Sequence, residues 1–151
     1  MSYNGSCLCG DVQFQVLQDI HTIYHCHCSL CRKQSGTGAN AASLIHCSAF
    51  QWRQGQEQIQ SYYKASGFTS YFCSHCGSPL PNTVRNTDWI WIPLGLLAQS
   101  PAISTRLNFC LSSKTAWQIP SEADQSFDHL PKMSELNAFF KRQLNPQSKK
   151  P

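Results

Sequence analysis

Seven of the nine cysteines in this chain fall into three tight groups, and this spacing is typical of metal ligands. The groups are Cys7-Leu8-Cys9-Gly10, Cys26-His27-Cys28-Ser29-Leu30-Cys31 and Cys73-Ser74-His75-Cys76-Gly77. A structural zinc is closed by four thiolate or imidazole ligands, whereas a catalytic zinc has three protein ligands and keeps one position for water or substrate. Seven clustered cysteines therefore predict two zinc ions per chain, one structural and one catalytic.

The residues that follow each group indicate how the groups combine. Cys9 and Cys76 each precede a glycine, which lets the backbone turn tightly around a metal and direct its N–H groups at sulfur. These two groups are predicted to be halves of one closed site. Cys31 instead runs into Arg32 and Lys33, and cations beside a thiolate lower its pKa and attract an anionic ligand. The middle group is therefore predicted to be the open, working site.

A second interpretation of the middle group stays open at this point. Cys26, Cys28 and Cys31, here called the cysteine trio, would be closed by a fourth ligand such as His25 or His27. The zinc in that group would then serve only to stabilise the fold.

Composition limits the class of protein. The chain has 151 residues, the length of one domain, and its 41% hydrophobic and 13% charged residues exclude a disordered tail. The sequence shows neither a long apolar run nor a basic leader at its start, so we expect a cytoplasmic protein without a membrane partner. In that setting cysteines bind metal more often than they form disulfides. Cys47 and Cys110 lie outside the groups and are predicted to be buried packing residues.

The elements that must position the cysteines are mainly β-strands. Apolar alternation bounded by turn residues predicts strands at residues 12–16, 23–26, 39–45, 59–63, 68–73, 89–94 and 107–111. A single helical turn is predicted at residues 29–34. One full helix is predicted after Pro131, from the spacing of Met133, Leu136, Phe140 and Leu144. Residues 1–144 are predicted to form one domain, followed by a flexible tail at 145–151.

The motifs, taken in order, resemble those of the glutathione-dependent formaldehyde-activating enzymes and the related centromere protein V domain. The matching segments are Gly5-Ser6-Cys7-Leu8-Cys9-Gly10-Asp11-Val12, Cys26-His27-Cys28-Ser29-Leu30-Cys31-Arg32-Lys33 with Gly36, Phe72-Cys73-Ser74-His75-Cys76-Gly77-Ser78-Pro79-Leu80, Gly95-Leu96-Leu97 and Ser113-Lys114-Thr115-Ala116-Trp117. The resemblance implies a β-tent of small antiparallel sheets stapled by zinc, with a short C-terminal helix. It also implies a structural zinc on Cys7, Cys9, Cys73 and Cys76, and a catalytic zinc on the cysteine trio.

The activity implied by the resemblance is that of a carbon–sulfur lyase of the S-(hydroxymethyl)glutathione synthase type. Such an enzyme adds a small, glutathione-like thiol reversibly to a small aldehyde such as formaldehyde. Three thiolates give a bound zinc a formal charge of −1, which favours ligand exchange at sulfur over activation of water. Arg32 and Lys33 are candidates to meet the carboxylates of the thiol.

A non-catalytic, zinc-stabilised module that binds protein or chromatin is the alternative, as the centromere protein V resemblance permits. Charge argues against a nucleic-acid partner. The formal charge is +4, and seven thiolates with two zinc ions take it to about +1. The basic residues also form no stripe along the sequence. An enzyme acting on small molecules is therefore favoured.

Overall fold

The computed structural model describes residues 1–144, and the predicted tail at 145–151 lies outside the described residues. The described elements are β1 (Tyr3–Ser6), β2 (Gln13–Val16), β3 (Thr22–Cys26), α1 (Ser29–Ser35), β4 (Asn40–His46), β5 (Phe50–Gln54), β6 (Ile59–Tyr63), β7 (Thr69–Cys73), β8 (Pro79–Leu80), β9 (Asn82–Thr83), β10 (Trp89–Pro93), β11 (Thr105–Phe109), β12 (Gln125–Ser126) and α2 (Met133–Leu144). In this part of the chain, neither helix has the length and apolar character needed to cross a membrane. The cytoplasmic location stays a prediction.

The strands form three sheets. Two are three-stranded and antiparallel, in the orders β1-β2-β5 and β6-β7-β8, and the third is six-stranded, in the order β12-β11-β3-β4-β10-β9. The predicted mainly β fold with small sheets and one short C-terminal helix is confirmed. The expectation of purely antiparallel sheets is wrong for the central sheet, where β11 runs parallel to both β3 and β12. Parallel pairing requires a long connection, and most of the chain lies between β3 and β11.

The central sheet is buried on both faces at β4 and β10, which explains the continuous apolar run of β10. Trp89 and Trp91 pack with Leu44 on the face covered by α2. Ile90 and Ile92 pack on the opposite face, against the apolar side chains of β1 and β2. The central sheet is therefore held between the C-terminal helix and a three-stranded sheet.

Helix α2 packs on the central sheet through Leu136, Phe140 and Leu144, and its position is fixed by the hydrogen bonds of a buried side chain, Gln143. Its Oε1 accepts hydrogen bonds from the backbone N–H groups of His21, at 3.0 Å, and Thr22, at 2.8 Å. Its Nε2 donates to Ser43 Oγ and to the carbonyl of Leu44, both at 2.8 Å. Because every polar atom of this buried amide is paired, the helix is held in one position, and its first turns lie beside the cysteine trio.

Candidate metal centres and active site

Cys7, Cys9, Cys73 and Cys76, here called the knuckle cysteines, are brought together by two hairpin turns. The first turn joins β1 to β2 and the second joins β7 to β8, so the group links two different sheets. The four sulfurs lie within 4.8 Å of one another. Cys9 Sγ is 3.5 Å from Cys7 Sγ and 3.9 Å from Cys73 Sγ. A tetrahedron with Zn–S bonds of about 2.3 Å has sulfur–sulfur edges of about 3.8 Å, so this donor set fits zinc.

The two turns share one backbone design. Gly10 has φ of 84° and Gly77 has φ of 75°, in the left-handed region that glycine adopts without strain. Their N–H groups donate to the carbonyls of Cys7, at 3.1 Å, and Cys73, at 2.8 Å. The N–H of Val12 donates to Cys7 Sγ at 3.3 Å. The glycines thus close the tight turns predicted from the sequence, and a backbone N–H group points at a sulfur.

Two of the knuckle cysteines differ in pKa: at Cys9 a hydrogen bond from the Asp11 backbone is outweighed by desolvation and the neighbouring thiols, which raise the pKa to about 12, whereas the groups around Cys76 favour its thiolate. The hydroxyl of Ser78 lies 3.3 Å from Cys76 Sγ, and this hydroxyl and the Ser78 backbone lower the pKa of Cys76 to about 5. His75 Nδ1 lies 2.6 Å from Asp11 Oδ2, and this contact raises the pKa of His75 and lowers the pKa of Asp11. His75 therefore points outward to a carboxylate.

The cysteine trio lies where β3 ends and α1 begins. Cys26 is the last residue of β3, Cys28 is the N-cap of α1, and Cys31 lies in the first turn of the helix. The backbone N–H of Cys31 donates to Cys28 Sγ at 3.4 Å. The three sulfurs lie within 4.8 Å of one another, as a shared metal ion requires. The strand end and the helix start therefore form a three-sulfur donor set.

Within residues 1–144, no histidine nitrogen and no fourth sulfur lies inside that distance of all three sulfurs, although the Cys110 thiol contacts Cys26. His27 is fully buried and its Nε2 lies 3.5 Å from the amide oxygen of Asn108. The interpretation in which His25 or His27 completes the tetrahedron is therefore not supported. The donor set of the trio is that of a zinc site with one position left for another ligand.

The three sulfurs of the trio also favour the loss of a proton. Hydrogen bonds from Cys26 and Cys31 lower the pKa of Cys28 to about 2, and the contacts with Cys28 and Cys31 raise the pKa of Cys26 well above its usual range. The pKa of Cys31 is raised to about 12, because the hydrogen bond from Cys26 is outweighed by Cys28 and burial. Because one thiolate is already stabilised by its two neighbours, the group is suited to a cation.

A cavity of about 400 Å³ opens beside the trio and is here called the apolar cavity. It is lined by the trio and by Tyr24, Leu30, Leu44, Phe68, Val84, Trp89, Phe109, Cys110, Leu130, Met133 and Leu136. Leu130 and Met133 are 62% and 50% exposed, so they form its rim. The sequence predicted Cys110 to be a packing residue only, whereas it lines this cavity. Its backbone has φ of 60°, in the left-handed region. The predicted burial of Cys47 is wrong, because its side chain is exposed.

A second, smaller cavity of about 160 Å³, here called the amide cavity, borders Cys31 and is lined by Asn40 and Asn82. Asn40 begins β4 and pairs with Cys26 of the neighbouring strand. Asn40 is 5% exposed, and neither of its amide atoms meets an oxygen or nitrogen partner, but the side chain interacts with the Cys31 thiol and acts to lower its pKa; Oδ1 of Asn82 has no partner. Sequence reasoning missed both residues, because nothing in the sequence marks an asparagine in a strand as buried. Buried polar atoms without a partner are rare, and here they face a cavity.

The cations predicted from the sequence lie elsewhere. Arg32 Nε donates to the carbonyl of His27 at 3.2 Å, and Lys33 is exposed; neither lines the two cavities beside the trio. Lys64 and Arg85 instead line an open groove of about 610 Å³. Because Arg85 and Phe68 border both the groove and the amide cavity, the groove leads towards Cys31.

Comparison with known proteins agrees with the motifs. The family model described as "Glutathione-dependent formaldehyde-activating enzyme" matches residues 2–113. The chain belongs to this family. A protein of Halomonas elongata, provisionally named a glutathione-dependent formaldehyde-activating enzyme, is 30% identical over 149 residues, covering 87% of this chain and 90% of the relative. The crystal structure of a Rhodobacter sphaeroides protein has the same fold, with a TM-score of 0.55 at 20% identity over 64% of this chain and 89% of that chain.

Membership of the formaldehyde-activating family accounts for part of the site only. The matched residues include the knuckle cysteines, the trio and Asn40. They do not include Leu130, Met133 and Leu136, which form one wall of the apolar cavity. That wall is therefore a feature of this chain that the family match does not imply.

Proposed function

We propose that this protein is a zinc-dependent carbon–sulfur lyase that adds a small thiol, glutathione or one like it, reversibly to an aldehyde such as formaldehyde. The observation that carries the proposal is the trio: three sulfurs in reach of one metal ion, no fourth His, Cys, Asp or Glu atom among residues 1–144 within 4.8 Å of all three, and two adjoining cavities. The names of the family and of the Halomonas elongata relative support glutathione and formaldehyde as the reactants.

The residues would hold two zinc ions per chain. The knuckle cysteines would bind a structural ion, and Cys26, Cys28 and Cys31 would bind a catalytic one, because their donor sets are those of closed and open zinc sites. A bound zinc supplies positive charge that converts an entering thiol to a thiolate at neutral pH. Three cysteine sulfurs limit that charge, so the trio is suited to exchange sulfur ligands rather than to activate water.

The reaction forms one carbon–sulfur bond and breaks no carbon–carbon bond. The sulfur lone pair adds to the aldehyde carbon, the π electrons of the carbonyl move to its oxygen, and the thiol proton ends on that oxygen. Asn40 is buried beside Cys31, interacts with its thiol and lines the amide cavity, so we assign its Nδ2 the role of hydrogen-bond donor to the developing oxyanion. The product is an S-hydroxyalkyl thiol, and the reverse reaction releases both partners.

A glutathione-like thiol brings carboxylates that need cations. Lys64 and Arg85 line the groove that leads to Cys31, and we assign them this role. The prediction that Arg32 and Lys33 serve the same purpose stays a prediction. Arg32 already uses Nε on a backbone carbonyl and Lys33 faces solvent, so the groove cations have the better position.

The proposal is tested by the rate of exchange between free formaldehyde and its glutathione adduct, measured by exchange NMR. Thiol addition to formaldehyde proceeds without an enzyme, so product formation alone proves nothing. We expect the zinc-loaded protein to accelerate exchange in both directions equally, since a catalyst leaves the equilibrium unchanged. The control is an equal concentration of free zinc with glutathione. Equal exchange rates with and without the protein would rule out glutathione and formaldehyde as its substrates and favour the non-catalytic binding module.

A further inference from the structure

The apolar cavity is larger than formaldehyde requires, and its lining is almost entirely apolar. Its volume of about 400 Å³ falls in the range of pockets that hold small organic ligands. Formaldehyde has only two heavy atoms. For comparison, one water molecule, with one heavy atom, occupies about 30 Å³ in the liquid. A cavity of this size beside the trio therefore has room for a substituent that formaldehyde lacks.

The lining of the cavity excludes the body of glutathione. The side chains around it are aliphatic or aromatic except for cysteine thiols and the Tyr24 hydroxyl, and none of them carries a charge opposite to a carboxylate. Burying an ionised carboxylate without a partner costs several kcal/mol. The tripeptide therefore fits the cationic groove at Lys64 and Arg85, neither of which lines the apolar cavity, and leaves the apolar cavity free.

The rim of the cavity indicates that an apolar ligand enters from solvent. Leu130 and Met133 are largely exposed although they continue the apolar lining of the cavity. Exposed apolar surface that is continuous with a pocket is typical of a binding site. Helix α2, fixed by Gln143, holds Met133 and Leu136 in place, so this wall is formed before any ligand binds.

We propose that the aldehyde substrate carries an apolar aliphatic or aromatic substituent, which binds in the apolar cavity while its carbonyl group meets the trio and Asn40. This inference rests on the proposed function. The thiol adds to the carbonyl carbon of R–CHO, its proton goes to the carbonyl oxygen, and the product is the hemithioacetal R–CH(OH)–SR′. No oxidant, reductant or water is consumed.

The activity test compares aldehydes of increasing apolar size with glutathione held constant. Each methylene that enters the cavity is worth about 0.8 kcal/mol at most, so kcat/KM is expected to rise by about two- to fourfold per added methylene from ethanal to hexanal. The kcat/KM for benzaldehyde is expected to exceed the kcat/KM for formaldehyde. A flat series with catalysed formaldehyde exchange would overturn this inference and leave the proposed function standing. No acceleration for any aldehyde would overturn both.

A binding test gives a readout that does not depend on turnover. Saturation-transfer NMR with benzyl alcohol, which has no carbonyl to react, reports occupancy of the cavity. We expect Met133→Trp, which places a larger ring at the rim, to weaken probe binding and to lower the preference for benzaldehyde over formaldehyde. Met133→Leu, which keeps an apolar side chain of similar size, should retain the probe binding and the aldehyde preference of the wild type.

The matched control is Ile119→Trp, which adds the same ring at a residue that is 87% exposed and does not line the cavity. It should leave probe binding and aldehyde preference as in the wild type. If Met133→Trp and Ile119→Trp behaved alike in both measurements, the apolar cavity would not be the aldehyde site.

Discussion

Replacing Cys76 by serine is expected to leave no folded protein, whereas replacing Cys28 by serine should leave a folded protein that holds one zinc ion and has lost catalysed exchange. The knuckle cysteines join the β1-β2-β5 sheet to the β6-β7-β8 sheet. A structural zinc contributes about 10–16 kcal/mol in zinc-finger peptides, as much as or more than the 5–15 kcal/mol stability of a typical domain. Circular dichroism melts and zinc analysis would measure both effects.

The trio differs because the surrounding core persists without its metal. Cys26 ends a strand of the six-stranded sheet, and that sheet is buried against α2 by Trp91, Phe109 and Phe140. Cys47→Ser is the control, since Cys47 is exposed and belongs to neither group. It should match the wild type in melting temperature and zinc content. If Cys28→Ser, like Cys76→Ser, gave no folded protein, the trio would be a structural site.

Asn40→Ala is expected to lower kcat for thiol addition by about 100-fold while leaving the protein as stable as the wild type or slightly more stable. Loss of one oxyanion donor typically costs 10²–10³ in kcat. The amide of Asn40 interacts with the Cys31 thiol and makes no hydrogen bond to another strand, so removing it breaks no hydrogen bond between elements of the central sheet and removes a buried polar group. Steady-state kinetics and thermal melts on the same preparation test the prediction.

Asn108→Ala is the matched control, because Asn108 is also buried but its amide is paired. Its Nδ2 donates to the carbonyl of Ser121 at 2.9 Å, and its Oδ1 lies 3.5 Å from His27 Nε2. This substitution should cost about 1–3 kcal/mol of stability without a comparable fall in kcat. An Asn40→Ala variant that lost stability and kept its kcat would show that Asn40 serves the fold and not the reaction.

The two cysteine groups could be predicted from the sequence because the spacing of metal ligands is a local feature of the chain. Three cysteines within six residues, and two cysteine pairs each followed by glycine, specify turns whose geometry depends on few other residues. The amide and apolar cavities could not be predicted in this way. Asn40 is buried because β4 pairs with β3, and Met133 shares a cavity with the trio because α2, about a hundred residues later in the sequence, packs on the central sheet.

The direction of strand pairing also could not be predicted from the sequence. Alternating apolar residues predict a half-buried strand, but they do not distinguish a parallel neighbour from an antiparallel one. β11 pairs in parallel with β3 at the place where Phe109 lies opposite Cys26, so a strand from late in the chain sets one wall beside the trio. The strand pattern therefore indicated the class of fold but not the order and direction of the central sheet.

The proposal that a thiol enters the coordination sphere of zinc at the trio is tested most directly by zinc-edge X-ray absorption. With two zinc ions bound, the mean number of sulfur ligands per zinc should be about 3.5 without glutathione and about four with saturating glutathione. Cys28→Ser should show no such rise. A sulfur count in the wild type that stays the same when glutathione is added would contradict the proposed function, whatever the zinc content.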